Sequence, residues 1–220
     1  MFAVAAQPVA LSVSPARAVL VAPASRTLQL GNLGTERMAV DVAWKSLSPH
    51  TGPYRWLTIA PRRLVLRGGA RTVLTVRAEP GASPGDHHVL ILVTGRPVNA
   101  PRVAVHLRLG ARLRIRAPGR LVRRIAVKWV RARRLKGKRA LVVSVANRGN
   151  VTEQLRGRLT VTLVRQSRVI SRLRFGRPRE LIPGARAVVA LPYAGNARGL
   201  VTALVKVRGS PSGHRYRLWL

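Results

Sequence analysis

The sequence predicts an all-β chain built as two similar halves, and three observations carry that reading. Turn signals recur at a nearly constant offset. Asn32-Leu33-Gly34 returns as Asn147-Arg148-Gly149 and Gly69-Ala70-Arg71 as Gly184-Ala185-Arg186, each 115 residues later, while Gly85 and Gly95 are echoed by Gly199 and Gly209 at 114. Several turn signals at one period mark two copies of one supersecondary plan. Apolar residues alternate at period two over short runs bounded by Gly, Pro and Asn, the pattern of strands with one buried and one wet face. Helical periodicity is nearly absent over the 220 residues.

In the first half the alternation predicts strands at 10–14, 17–21, 26–31, 37–44, 55–59, 63–67, 71–78, 87–94 and 102–109. Pro15 and Pro23 punctuate the first two, since proline removes a ladder donor. Asn32-Leu33-Gly34 supplies residues that tolerate positive φ at a turn. Gly68-Gly69 suits a tight hairpin, and Pro80-Gly81-Ala82-Ser83-Pro84-Gly85-Asp86 reads as a longer loop. Val103, Val105, Leu107 and Leu109 then alternate with Arg102, Ala104, His106 and Arg108, and Leu113 and Ile115 follow between Arg112, Arg114 and Arg116. Ala117-Pro118-Gly119 breaks the pattern and divides the chain into domains at 9–117 and 118–220.

The second half repeats the plan with strands at 123–131, 139–146, 157–164, 168–174, 186–192, 200–207 and 215–219. Ile125, Val127 and Trp129 share one phase, which places Trp129 in the core. Gly137 turns a hairpin between the first two of these strands. Short strands at this spacing indicate a β-sandwich in each unit.

Two units of roughly 110 residues match a common domain size. At 47% hydrophobic residues both can pack cores, and with aromatics at only 4% those cores must be Val, Leu, Ile and Ala. Cysteine is absent, which excludes disulfides and thiolate metal sites. No run of eighteen apolar residues occurs, so no membrane-spanning helix is expected. Ala3-Val4-Ala5 has the small-x-small form of a signal cleavage site, compatible with the end of a secretory leader.

Charge is the strongest compositional signal. The net charge is +35, and it is uneven: residues 1–110 hold 13 basic and 4 acidic residues, residues 111–220 hold 28 and 2. Like charge at that density calls for a polyanionic partner or a counterion cloud. The segment 112–139 carries 13 Arg or Lys and no acid, and Arg131, Arg133, Arg134, Lys136, Lys138 and Arg139 surround the Gly137 turn. These six are the candidate polyanion contacts; the competing reading is a solvated hairpin tip that discourages edge pairing.

Other constellations carry less. Six carboxylates, none spaced as a pair, are too few for general acid–base work, and Glu36, Asp41, Glu79, Glu153 and Glu180 read as solvated or locally paired. Asp86-His87-His88 is the one metal-like cluster. Adjacent strand residues point to opposite faces, so the two histidines cannot share an ion, and all three read as surface residues. No nucleophile elbow or phosphate loop is present. Tyr54 and Trp56 are candidates for stacking on sugar rings, with core packing of Trp56 the stronger reading. No catalytic residue, metal or cofactor is expected.

Five stretches of the first unit carry a resemblance: Leu11-Ser12-Val13-Ser14-Pro15, Leu28-Gln29-Leu30-Gly31-Asn32-Leu33-Gly34, Trp56-Leu57-Thr58-Ile59-Ala60-Pro61, Leu64-Val65-Leu66-Arg67-Gly68-Gly69 and Pro80-Gly81-Ala82-Ser83-Pro84-Gly85-Asp86-His87. This pattern resembles the N-terminal peptidoglycan-binding domain of WxL-protein-associated surface proteins, and other immunoglobulin-like families, including the pilus-chaperone-like and sperm-protein-like sandwiches, share similar stretches. The second unit resembles the immunoglobulin-like domain that follows in that family, through Val143-Ser144-Val145-Ala146-Asn147-Arg148-Gly149-Asn150-Val151. The resemblance implies two tandem immunoglobulin-like β-sandwich domains in a non-enzymatic, extracytoplasmic cell-surface protein. On this reading the partners are peptidoglycan or another anionic wall polymer and a surface protein. Family members usually carry a signal peptide and a membrane helix, and neither is evident in this sequence. The rival readings are a nucleic-acid-binding protein using 112–139 and a pilus-type chaperone that donates a strand to a subunit.

Overall fold

The computed structural model describes residues 9–49, 54–99, 106–209 and 213–220. Among the described residues every regular element is a strand. The chain forms two compact units that divide between Gly119 and Arg120. In the first unit the strands are β1 (Leu11–Ser14), β2 (Arg17–Val21), β3 (Ala24–Asn32), β4 (Met38–Ser46), β5 (Leu57–Ala60), β6 (Arg63–Leu66), β7 (Arg71–Ala78), β8 (Gly85–Pro97) and β9 (Leu107–Ala117). In the second they are β10 (Ile125–Leu135), β11 (Lys138–Asn147), β12 (Glu153–Gln154), β13 (Leu159–Arg165), β14 (Arg168–Arg174), β15 (Glu180–Leu181), β16 (Arg186–Pro192), β17 (Leu200–Val207) and β18 (His214–Trp219).

The first unit packs a four-stranded sheet, ordered β1-β3-β7-β5, on a five-stranded one, ordered β2-β9-β8-β4-β6. Its core is aliphatic, with Leu28, Leu30, Leu74, Val76, Val89, Ile91, Leu113 and Ile115 buried between the sheets. One feature of the chain path matters for the site. β1 pairs antiparallel with β3 in the first sheet, but after Pro15 the chain crosses over and β2 runs parallel to β9 in the second sheet, from Arg17 opposite Arg112 to Val21 opposite Arg116. A proline cannot continue a ladder, so it suits the change of sheet.

The second unit packs β10-β11-β16 against β14-β13-β17-β18, with a small β12-β15 pair beside them. Leu141, Val143, Leu159, Val161, Leu163 and Val205 fill its core. The β10–β11 hairpin closes through Lys136 and Gly137, both at positive φ (49° and 75°), the two-residue turn whose twist matches the flanking strands.

The repeated Asn-x-Gly is a buried latch with closely matching bonding in both units. Asn32 and Asn147 are almost fully buried (0% and 1% exposed). The Asn32 backbone N–H donates to the Ala70 carbonyl, and that of Asn147 to Ala185. The Asn32 side-chain amide donates to the carbonyls of Glu36, Leu66 and Arg67, and its oxygen accepts from the Gly34 N–H. The Asn147 amide donates to Val151 and Leu181, and its oxygen accepts from the Gly149 N–H. Of the glycine echoes, Gly85 and Gly199 share positive φ where β8 and β17 begin. Gly95 and Gly209 differ: Gly95 lies within β8, whereas Gly209 follows β17 at φ 83°.

The structure corrects three expectations. Trp129 is not in the core. A bulge shifts the β10–β11 register between Val127 and Trp129, so Val130, 5% exposed, takes the inward position. Trp129 is left half-buried, with the Arg131 guanidinium 5.0 Å from its ring centroid. Val130→Ala should therefore cost about 2 kcal/mol and Trp129→Ala less than about 1 kcal/mol in denaturant unfolding; the reverse ranking would mean that the bulge does not reset the phase. Asp86, His87 and His88 are not surface residues: they are 3%, 7% and 4% exposed near the start of β8, a strand flanked on both sides in the five-stranded sheet. Finally, the strand predicted at 102–109 begins outside the described residues, and the described strand continues past Gly110 to Ala117. The two-residue strands β12 and β15 were too short to show a period.

Candidate functional site

The feature best placed to recognise a partner is the first half of β9. Its inward positions are Leu107, Leu109, Ala111, Leu113, Ile115 and Ala117, and burial deepens along the strand: Leu107 and Leu109 are half-buried, and Ala111 onward are buried. On one side β9 pairs with β8 along its whole length, from Leu107 opposite Gly95 to Ala117 opposite Gly85. On the other side β2 covers only Arg112 to Arg116. The Arg112 N–H donates to the Ala16 carbonyl (2.9 Å), and the Arg116 carbonyl accepts from the Ala22 N–H (2.9 Å). Backbone groups alternate in direction along a regular strand, so the amides of Arg108 and Gly110 point to that same side. Among the described residues no strand pairs with them there. β1, which precedes β2 in the chain, has gone to the other sheet. Among the described residues the change of sheet at Pro15 thus leaves a five-residue open edge, whose half-buried Leu107 and Leu109 pack against the rim of the unit's own core.

The six cationic candidates lie together on the β10–β11 hairpin of the second unit. The segment 112–139 is split between the units: Arg112, Arg114 and Arg116 lie on β9, and Arg131 to Arg139 on the β10–β11 hairpin. Arg131, Arg133, Arg134, Lys136 and Lys138 are exposed. Arg139 is half-buried and donates from Nη1 to the Ala197 carbonyl (3.0 Å). A cleft of about 260 Å³ beside the hairpin is lined by Arg133, Arg134, Arg139, Tyr193 and Trp219.

Tyr54 does not present a sugar-stacking face, which corrects that expectation. It is 6% exposed and lies between Trp44 (centroids 5.6 Å apart) and Trp56 (4.7 Å), with its hydroxyl 3.0 Å from Ser46 Oγ. Trp56 is half-buried, with the His87 ring edge-on at 5.0 Å. His87 Nε2 donates to the Ser83 carbonyl (2.7 Å), so the histidine fixes the loop before β8. Its neighbour Asp86 receives a two-pronged bond from Arg116, Nε to Oδ1 at 2.7 Å and Nη2 to Oδ2 at 2.9 Å. The hydrogen bond to Asp86 and its charge raise the Arg116 pKa above the ordinary arginine value against the opposing effect of burial. Sequence reasoning missed this pair, although the register held the signal: aligning Val89 with Leu113 sets Asp86 opposite Arg116.

Three other acids are also paired. Glu153, 1% exposed, is held by Arg158 Nη1 and by Arg123 Nη1 at 3.4 Å. Asp41 pairs with Arg63 and Glu79 with Arg77 at the surface. Among the described residues no group of three His, Cys, Asp or Glu could hold a metal ion. No helix of the described residues is long and apolar enough to cross a membrane.

No family model matches the chain. No curated protein matches it. The WxL-associated resemblance therefore rests on the sequence pattern alone. Solved structures do match in fold. The class 5 fimbriae chaperone CfaA is 13% identical with a TM-score of 0.56, over 96% of this chain and 100% of that one. A chain of the chaperone–tip adhesin complex of CFA/I fimbriae biogenesis is 14% identical with a TM-score of 0.55, over 95% and 98%. A chain of the CsuC–CsuE chaperone–tip adhesion subunit complex of Csu pili from Acinetobacter baumannii is 11% identical with a TM-score of 0.54, over 95% and 98%. At such identities the likeness is one of fold: two tandem immunoglobulin-like β-sandwiches.

Proposed function

We propose that this chain is a non-enzymatic, extracytoplasmic binding protein of pilus-chaperone type that completes an unfinished β-sandwich by lending it a strand. The observation that carries the reading is the open edge of β9 at Leu107–Ala111. An edge of this kind is a template for another chain. Backbone bonds from Arg108 and Gly110 would extend the partner's ladder, and the uncovered parts of the alternate side chains of Leu107 and Leu109 would enter its exposed groove, the recognition mode of strand addition. The sequence continues the alternation upstream as Val105 and Val103. The match in fold to chains from chaperone–adhesin complexes supports the same reading. No comparable observation supports a wall-polymer site, and the WxL-associated kinship is kept only as a proposal for ancestry.

The test is co-expression of the full chain with a pilin-type subunit of the same genome whose sandwich lacks one strand. The subunit is expected to aggregate alone and to form a soluble one-to-one complex with this chain. Leu107→Asp with Leu109→Asp should lower recovery of the complex at least tenfold, while both units of the variant still unfold cooperatively. Undiminished complex with the double variant, or a subunit that stays aggregated beside the wild-type chain, would overturn the reading.

A further inference from the structure

The outer face of the β14-β13-β17-β18 sheet is the least expected surface of the second unit. Residues directly opposite one another in a ladder share a face. Arg174 stands opposite Thr160, and Thr160 opposite Lys206. Arg172, Thr162, Leu204 and Arg215 form the next row, and Thr202 faces Arg217. Arg172, Arg174, Lys206, Arg215 and Arg217 are all exposed, and the four strands contain no carboxylate. Rows lie about 7 Å apart along the strands and columns about 4.8 Å apart across them, so the cations form a lattice with a threonine floor. A cleft of about 780 Å³ over this face is further lined by Arg158 and Arg208.

One end of the same face carries apolar side chains beside Thr202 and Arg217. Val164 stands opposite Val169, and Leu200 opposite Trp219. Val169, Leu200 and Trp219 are 58%, 55% and 74% exposed, and Ile170, displaced by a bulge, is 37% exposed. A folded unit with a well-filled core has no packing reason to leave an indole and three aliphatic side chains in water on one end of one sheet. Exposed indole beside clustered Arg and Lys is the composition of a surface that sits at a lipid interface, with the rings and aliphatic groups below the headgroups and the cations among them. Nucleic acid would call for successive stacking aromatics, and this face offers a single ring.

We infer that this sheet face docks on an anionic lipid bilayer, with Trp219, Leu200 and Val169 entering the interface and Arg172, Arg174, Lys206, Arg215 and Arg217 contacting headgroup phosphates. The inference stands independently of strand donation, since β9 lies in the other unit. It gives the excess cations of the second half a defined surface to serve.

The experiment is co-sedimentation of the full chain with vesicles of phosphatidylcholine alone and of phosphatidylcholine with about a quarter phosphatidylglycerol. Binding is expected to the anionic vesicles only and to weaken as salt rises. Arg172→Ser with Arg174→Ser and Lys206→Ser should weaken it about a hundredfold, since each headgroup-facing cation contributes several-fold. Arg26→Ser with Arg55→Ser and Arg71→Ser removes the same charge from exposed positions of the first unit and should leave binding within about threefold. Trp219→Ser should weaken binding at unchanged net charge. Equal losses in the two triple variants would show a response to net charge and overturn the inference. So would equal binding to neutral and anionic vesicles, no effect of Trp219→Ser, or capture of single-stranded DNA by this face with no vesicle binding.

Discussion

Asn147→Ala is expected to destabilise the second unit by about 3 kcal/mol, and Asn32→Ala the first unit by at least as much. Asn147 satisfies two carbonyls, Val151 at 2.8 Å and Leu181 at 2.9 Å, and accepts from the Gly149 N–H at 2.9 Å, all at a residue 1% exposed. Alanine leaves those groups without their partner where water does not replace it, at about 1 kcal/mol or more for each. In a domain of this size that corresponds to a fall of roughly 15 °C in melting temperature. Asn150 is a built-in control. It bonds the Val122 N–H and the Arg120 carbonyl, but at exposed sites, so Asn150→Ala should cost about 1 kcal/mol or less. Calorimetry of the three variants decides the matter; equal costs for Asn147→Ala and Asn150→Ala would show that the buried latch is not a stabilising element.

Arg158→Ala should cost a similar amount by a different route. Glu153 is a carboxylate with 1% of its side chain exposed, and Arg158, 24% exposed, is its principal partner. Arg158 also spans from Nε and Nη2 to the Arg208 carbonyl at 3.1 and 2.8 Å, so it ties the start of β13 to the end of β17. Removing one partner of a buried pair leaves an uncompensated charge, which costs about 3 kcal/mol. Arg123 is 55% exposed and sits at 3.4 Å from the same carboxylate, so Arg123→Ala should cost less than about 1 kcal/mol. Urea unfolding of both variants checks the ranking. A cost below about 0.5 kcal/mol for Arg158→Ala would mean that Glu153 is hydrated in solution.

How far the fold was legible follows from which residues set it. Period-two alternation in Leu159, Val161 and Leu163 or in Leu113 and Ile115 marks a strand without knowledge of its partner, because burial of one face depends on local sequence. The Asn-x-Gly repeat was legible for a related reason: a latch that closes a turn against a fixed partner 34 residues on leaves the same letters at the same spacing in each unit. What lay beyond the sequence depended on pairing. Asp86 looks like a loop-tip acid until the ladder sets Arg116 across from it. Trp129 keeps the phase of Ile125 and Val127 on paper, and one inserted residue in the pairing removes it.

The candidate site illustrates the same division. The alternation of Leu107 and Leu109 was visible, but not that their strand has an open side, because that follows from the path of β1 and β2 far earlier in the chain. The cationic surplus was visible, but its division between the hairpin at Gly137 and one face of the β14-β13-β17-β18 sheet depends on the registers of three strand pairs. Charge counted along a sequence predicts attraction to a polyanion and does not say where it is felt.

The most direct test of strand lending is amide hydrogen exchange along β9, with and without the subunit partner. In the free chain the amides of Arg108 and Gly110 should exchange rapidly while that of Arg112, bonded to the Ala16 carbonyl, is protected. In the complex Arg108 and Gly110 should become protected by at least about a hundredfold. Protection of those two amides in the free chain, or their unchanged exchange in the complex, would contradict the account.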